Sequence, residues 1–210
     1  MPQESAPIRN LIFDFGAVLL PVEEERSWEA FRALGARESL AEQKQVFEKL
    51  ETGAISPDEF LELLRPHFFR PRIFKPDIAD AWAAMCYHPI SDEVIDYLKK
   101  LRRKGYVLFL LSNTNVIHVE KVKERSGPFR YRQFLNQFKA VYYSQEVGLR
   151  KPQKAIYQQV LKENQLEPAQ CWFTDDKKEN LKAPQKLGIR TWHYHPDRSF
   201  ADLQRAIRRL

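Results

Sequence analysis

Short apolar runs recur along the chain, and most of them end on a polar or charged residue. Five read as buried strands: Asn10–Phe15, Val107–Leu111, Ala140–Ser144, Cys171–Thr174 and Thr191–His195. Each is brief and rich in Val, Ile, Phe, Tyr or Trp, which suits a strand covered on both faces. Helical patterns lie between the later runs. Asp92–Arg103 places Val94, Ile95, Leu98 and Leu101 on one face, and Gln153–Asn164 does the same with Ile156, Tyr157, Val160 and Leu161. Asn180–Leu187 follows the fourth run and stops at Gly188, a residue suited to a helix C-cap. Strand and helix alternate from about residue 92 onward. That rhythm predicts an α/β chain with a parallel sheet and helices on both faces.

The first run breaks the rhythm. Roughly 75 residues separate it from Asp92, and they read as helical over Glu24–Leu34, Ser39–Leu50, Ser56–Phe69 and Asp77–Met85. Ser56-Pro57-Asp58-Glu59 has the serine, proline and glutamate of a helix start. Pro66, Pro71 and Pro76 cut the stretch into pieces. So much chain exceeds one crossover. The expected division is a core of residues 1–20 and 88–210 with a small helical cap, 21–87, inserted after the first strand. Phe68, Phe69 and Trp82 are expected in the core of that insert.

The polar ends of the runs carry the chemistry. Asp14 follows the first run, Ser112-Asn113 the second and Asp175-Asp176 the fourth, while Lys151 lies in the loop Gly148–Pro152. A charge next to a buried strand loses hydration unless something pairs with it. In open parallel sheets, ligands bind outside the carboxyl ends of the strands, so these four signals converge. Asp14 is the candidate nucleophile. Asp14 and Asp176 would share Mg2+, with Asp175 binding it or orienting its waters. Asn180, one turn beyond Asp176, would hold that aspartate. Ser112 and Asn113 would bind phosphoryl oxygens through a hydroxyl and backbone N–H groups, and Lys151 would supply positive charge to them and to Asp14.

Composition narrows the partners. The chain of 210 residues has a formal net charge of +6, yet the basic run Lys99–Lys104 closes a helix, as do Arg205, Arg208 and Arg209. No aromatic and basic interleaving marks a nucleic-acid module, so an anionic small molecule is the expected partner, without nucleic acid or membrane. The apolar runs are far shorter than a membrane span needs. Met1–Ser5 shows no secretory pattern, and Cys86 and Cys171 read as buried free thiols of a cytoplasmic protein. His193 and His195 share a strand face but lack a third ligand, and packing accounts for them better than metal. Glu24, Arg26, Trp28, Glu48 and Arg65 are candidates to face the pocket, although an exposed helix face explains them equally. Neither the physiological substrate nor the oligomeric state is readable.

Four motifs, Asp14-Phe15-Gly16-Ala17-Val18, Leu111-Ser112-Asn113-Thr114-Asn115, Lys151-Pro152 and Thr174-Asp175-Asp176 with Asn180, resemble those of the haloacid dehalogenase superfamily of phosphohydrolases. The resemblance implies a Rossmann-like core with strand order 5-4-1-2-3, a helical cap and dependence on Mg2+, with the Gly16 carbonyl as a further metal ligand and phosphate contact. Within the superfamily the chain is most similar to α-D-glucose-1-phosphate phosphatases, then to the phosphatase domain of bifunctional epoxide hydrolases. Most members carry a second aspartate, the acid and base, two residues after the nucleophile; here that position is Gly16. The implied activity is Mg2+-dependent hydrolysis of a sugar phosphate through an aspartyl-phosphate. The alternatives are a protein that binds phosphate ligands or partners without turnover, and a metal-independent hydrolytic dehalogenase.

Overall fold

A computed structural model describes residues 6–69, 73–195 and 197–210. Met1–Ser5 and Pro71 lie outside the described residues. Among those described, five strands form one parallel sheet: β1 (Asn10–Phe13), β2 (Val107–Ser112), β3 (Ala140–Tyr143), β4 (Cys171–Asp175) and β5 (Arg190–His193). Their spatial order is β3-β2-β1-β4-β5, the expected 5-4-1-2-3 order counted from the other edge. Ile12 sits opposite Phe109 on one side and Phe173 on the other.

Alternation along each strand feeds two separate cores. Leu11, Phe13, Leu108, Leu110 and Trp172 join the first. Ile12, Phe109, Leu111 and Phe173 join the second. The first core receives helix α5 (Asp92–Arg103), whose buried stripe is Val94, Ile95, Leu98 and Leu101 as anticipated. It also takes residues of α6 (Val116–Ser126), α7 (Pro128–Leu135) and α11 (Phe200–Arg208). The short α8 (Ser144–Val147) follows β3 directly. The second core is covered by α9 (Lys154–Glu163) and α10 (Lys178–Lys186). The α10 helix starts two residues earlier than expected, and Gly188 beyond it has φ +88°. Both cysteines are free and buried.

Between β1 and α5 the chain forms α1 (Glu24–Ala33), α2 (Lys44–Glu51), α3 (Pro57–Leu64) and α4 (Lys75–Ala83). The expected Ser39–Leu50 helix divides into a 3-10 turn at Glu38–Leu40 and α2. The expected Ser56–Phe69 helix stops at Leu64, ahead of Pro66. Ser56 caps it as anticipated, its Oγ accepting the Glu59 N–H at 3.1 Å. These helices share an aromatic nucleus in which Trp82 meets Phe31, Phe47 and Phe60 with ring centroids 4.7 to 6.3 Å apart. Phe68 is buried there, but Phe69 is 70% exposed, contrary to expectation. It lies beyond the helical part of the segment and stacks under Arg37 instead.

Two links tie the helical insert to the sheet layer, one a buried polar contact and the other a close backbone approach. The Trp82 carbonyl accepts from Ser27 Oγ at 2.7 Å and pairs with His118 Nε2 at 3.0 Å. The Asn115 amide nitrogen lies 3.1 Å from His118 Nδ1, so Nδ1 accepts and Nε2 carries the proton. Burial pulls the His118 pKa down to about 4, and the ring is therefore neutral at pH 7. The second link is at Gly53, where a Cβ would sit 2.3 Å from the Gln145 carbonyl oxygen. Any larger residue would push the insert off α8.

Candidate active site

The strands end where the anticipated residues stand. β1 stops at Phe13, so Asp14 leaves the ladder while its N–H still donates to the Thr174 carbonyl at 3.0 Å. Asp14 Oδ1 accepts from the Phe15 N–H at 2.7 Å and from Lys151 Nζ at 2.8 Å. Its other oxygen has no protein partner among the described residues, which leaves it free to attack or to ligate. Lys151 also reaches Asp175 Oδ2 at 2.7 Å and is itself only 1% exposed. A buried ammonium thus bridges two carboxylates from different strands.

Each of these groups is held in place by others. Asn113 pairs with the Lys151 main chain twice, donating to its carbonyl at 2.9 Å and accepting its N–H at 2.8 Å. The Asn113 side chain is therefore occupied in positioning the lysine, and only its main chain remains for phosphate. Asp175 Oδ1 accepts from Asn180 Nδ2 and from the Lys177 N–H, both at 2.9 Å. Asn180 accordingly holds Asp175, whereas the sequence pointed to Asp176. Helical spacing placed Asn180 correctly but did not reveal which of two adjacent carboxylates turns inward. Asp175 is fully buried and its two oxygens accept three hydrogen bonds, so its main task is to support Lys151. The half-buried Asp176 carboxylate points to none of these partners, and His193 Nε2 pairs with its backbone carbonyl at 2.8 Å. That contact accounts for His193 as a brace. Ser112 is buried, its hydroxyl making only a 3.5 Å contact with the Asn113 carbonyl, and is thus open to a ligand oxygen.

Electrostatics distinguish the groups. Burial, reinforced by Asp175 and Asp176 and opposed by Lys151, pushes the Asp14 carboxyl well above the usual range. Burial and then Asp175 raise Asp176 as well. Burial alone would pull Lys151 down, but Asp14 and Asp175 outweigh it and hold the ammonium charged. Asp14, Asp175 and Asp176 present oxygens within 4.8 Å of one another. Against one lysine, three carboxylates leave an excess of two negative charges. Hard oxygen donors with that excess fit a small divalent cation, and Asp14 and Asp176 have the freer oxygens to hold it.

Asp14, Lys151 and Asp176 line a cavity of about 450 Å³ between the strand ends and the helical insert, with Asp175 buried behind them. Of the candidates on the insert, Glu24, Trp28 and Glu48 do line it. Arg26 instead covers the Tyr87 ring at 4.1 Å, and Arg65 pairs with Glu62 at 3.1 Å. Sequence reasoning missed Glu51, Trp82, His118, Arg150 and Lys177 in the wall. Arg150, next to Lys151 in the same loop, gave the one usable signal.

Comparison with known proteins gives the same assignment. The model of the haloacid dehalogenase-like hydrolases matches residues 8–188. A D-ribitol-5-phosphate phosphatase of Bacteroides thetaiotaomicron is 27% identical over 190 residues, which span 88% of this chain and 91% of the relative. A haloacid dehalogenase family enzyme from the same organism, solved with magnesium and inorganic phosphate, superposes with a TM-score of 0.83 at 32% identity, covering 93% of this chain and 98% of the other. A haloacid dehalogenase-like hydrolase of Porphyromonas gingivalis gives 0.82 at 30% identity, covering 97% and 99%. With the motif residues gathered at one cavity and most of its length matched, the chain belongs to the haloacid dehalogenase-like hydrolases.

Proposed function

We propose that the protein is a Mg2+-dependent phosphomonoester hydrolase acting on a small sugar or polyol phosphate. The observation that carries this reading is the buried Asp14–Lys151–Asp175 array at the strand ends, where Asp14, Lys151 and Asp176 line the cavity. A phosphate dianion repels Asp14, and a bound Mg2+ would offset that repulsion and polarise the phosphoryl oxygens. The free oxygen of Asp14 attacks phosphorus, the bond from phosphorus to the ester oxygen breaks, and the departing alkoxide takes a proton from water. Water then attacks the phosphorus of the acyl phosphate, releasing inorganic phosphate and restoring the carboxylate. Throughout, Lys151 keeps one Asp14 oxygen fixed and stabilises the charge on the transferring group, and Ser112 donates to a phosphoryl oxygen.

The ribitol phosphate phosphatase among the relatives supports a polyhydroxylated leaving group, and α-D-glucose 1-phosphate belongs to the panel to be tested. The acidic cluster favours phosphoryl transfer over metal-independent attack on carbon, because a dehalogenase gains nothing from three adjacent carboxylates. The deciding experiment is a screen of sugar phosphates, polyol phosphates and nucleotides with and without Mg2+. Release of phosphate only with Mg2+ is the expected result. Phosphate binding with no turnover on any ester would favour the non-catalytic reading, and halide release without metal the dehalogenase.

Gly16 leaves the acid and base role without a side chain. A Cβ there would lie 3.3 Å from Val22 Cγ2, a contact that a small shift of Val22 relieves. Gly16→Asp is therefore expected to fold and to speed hydrolysis of alkyl phosphates at least about tenfold. Aryl phosphates, whose leaving group needs no proton, should gain little. Rates across a series of graded leaving-group acidity check this, and equal gains throughout would refute it.

A further inference from the structure

Beyond the phosphate-binding end, the cavity has a wall of unusual charge. Four carboxylates, Glu24, Glu48, Glu51 and Glu179, share it with two cations, Arg150 and Lys177. Both cations are already engaged. Arg150 reaches Glu48 Oε1 at 2.7 Å and Glu51 Oε2 at 2.9 Å, and its Nε donates to the same Glu51 oxygen at 3.1 Å. Lys177 lies 3.7 Å from Glu24. Each cation of the wall thus has a carboxylate beside it, and four carboxylates against two cations leave an excess of negative charge among the described residues. Glu51 is its most enclosed carboxylate, with a side chain 22% exposed. Only one of its oxygens is used by Arg150, so Oε1 is left as an acceptor among the described residues.

Resting on the phosphatase reading above, we propose that this wall selects the leaving group: it accepts an uncharged polyol and rejects any substrate with a second anionic group, with Glu51 as the specificity-determining residue. Carboxylate oxygens accept short, charge-assisted hydrogen bonds from hydroxyls. A second phosphate or carboxylate would meet like charge in a partly enclosed cavity, where repulsion is far stronger than in water. Trp28 and Trp82 add apolar ring surface to the same cavity. Arg150 fixes Glu51 and stands next to Lys151 in sequence, so the selecting group is rigidly placed relative to the phosphoryl site.

The test uses matched pairs that differ only in exchanging a terminal hydroxymethyl group for a carboxylate. Suitable pairs are glycerol 3-phosphate with 3-phosphoglycerate, ribitol 5-phosphate with 5-phosphoribonate, and glucitol 6-phosphate with 6-phosphogluconate. Each is measured as kcat/KM with Mg2+ at pH 8, with p-nitrophenyl phosphate as a general reporter of turnover. The wild-type protein is expected to favour the neutral member of its best pair at least about thirtyfold. Glu51→Gln should shrink that ratio about tenfold, and because the ratio is internal to each variant, a general loss of activity does not disturb it. Glu48→Gln, at the more exposed end of the same ion pair, gives a second reading if Glu51→Gln fails to fold. Equal use of both members by the wild-type protein would overturn the proposal. So would turnover of the reporter with none of the polyol phosphates. Absence of any Mg2+-dependent turnover would overturn the phosphatase reading itself.

Discussion

Asp14→Asn is expected to lose at least about 10⁴-fold in phosphatase turnover while its thermal midpoint stays level or rises. The first half follows from chemistry. An amide neither forms the acyl phosphate nor carries the charge that helps hold a cation, and removing a nucleophile costs more than removing a supporting group. The second half follows from linkage. Burial, with Asp175 and Asp176 adding to it, holds the Asp14 carboxyl well above the ordinary range. As pH rises through that interval, the unfolded chain gives up its proton before the folded one, so folding stability falls. Above that interval the folded protein carries the penalty of an ionised buried Asp14, and asparagine does not. Lys151 still keeps Asp175 as a partner at 2.7 Å. A steady-state assay against a sugar phosphate panel, paired with a thermal melt in chelator, reads both effects. Retained turnover would remove Asp14 as nucleophile. A midpoint several degrees lower would mean that Asp14 is held for structure.

That pairing of lost activity with unharmed stability bears on why the site was legible in the sequence. Polar residues at the ends of apolar runs are costly unless they serve a purpose, so Asp14, Ser112 and Asp175 stand out against the buried strands beside them, while Lys151 is marked only by its loop. The same logic carried the sheet: runs buried on both faces are continuous rather than alternating, and parallel pairing follows. Two helices after β2, α6 and α7, have weaker patterns, with Val122 the one residue of α6 buried. They were not resolved as separate elements. What failed was mostly a matter of partners. Arg150, Glu51 and Glu48 meet across 99 or more residues of chain, and no local period encodes such a contact. Phe69 shows the opposite error, since its apolar character implied core while the chain had already left the helix at Leu64. Asn180 lies between these cases: its reach was readable and its target was not.

Replacing Lys151 with methionine is expected to damage both activity and stability, in contrast to Asp14→Asn. The lysine is buried and holds two carboxylates at 2.8 and 2.7 Å. Methionine fills similar volume without charge, leaving Asp14 and Asp175 facing each other out of water. Breaking a buried ion pair from one side costs about 3–5 kcal/mol, which for a chain of this size lowers the midpoint by roughly 10 °C. Turnover should fall about 10³-fold, since the transferring phosphoryl group loses its nearest protein cation. Arginine is not expected to rescue it, because the site is closed around a point charge and has no room for a planar fork. The repulsion itself can be tested separately. Mg2+ should raise the midpoint of Lys151→Met more than that of the wild-type protein, because a dication between the carboxylates replaces part of the missing charge. Adding Asp14→Asn to Lys151→Met should likewise recover much of the lost stability and none of the activity. A double variant that melts as low as Lys151→Met alone would show that the lysine stabilises the fold through packing, and that the charge array is not what holds the strand ends together.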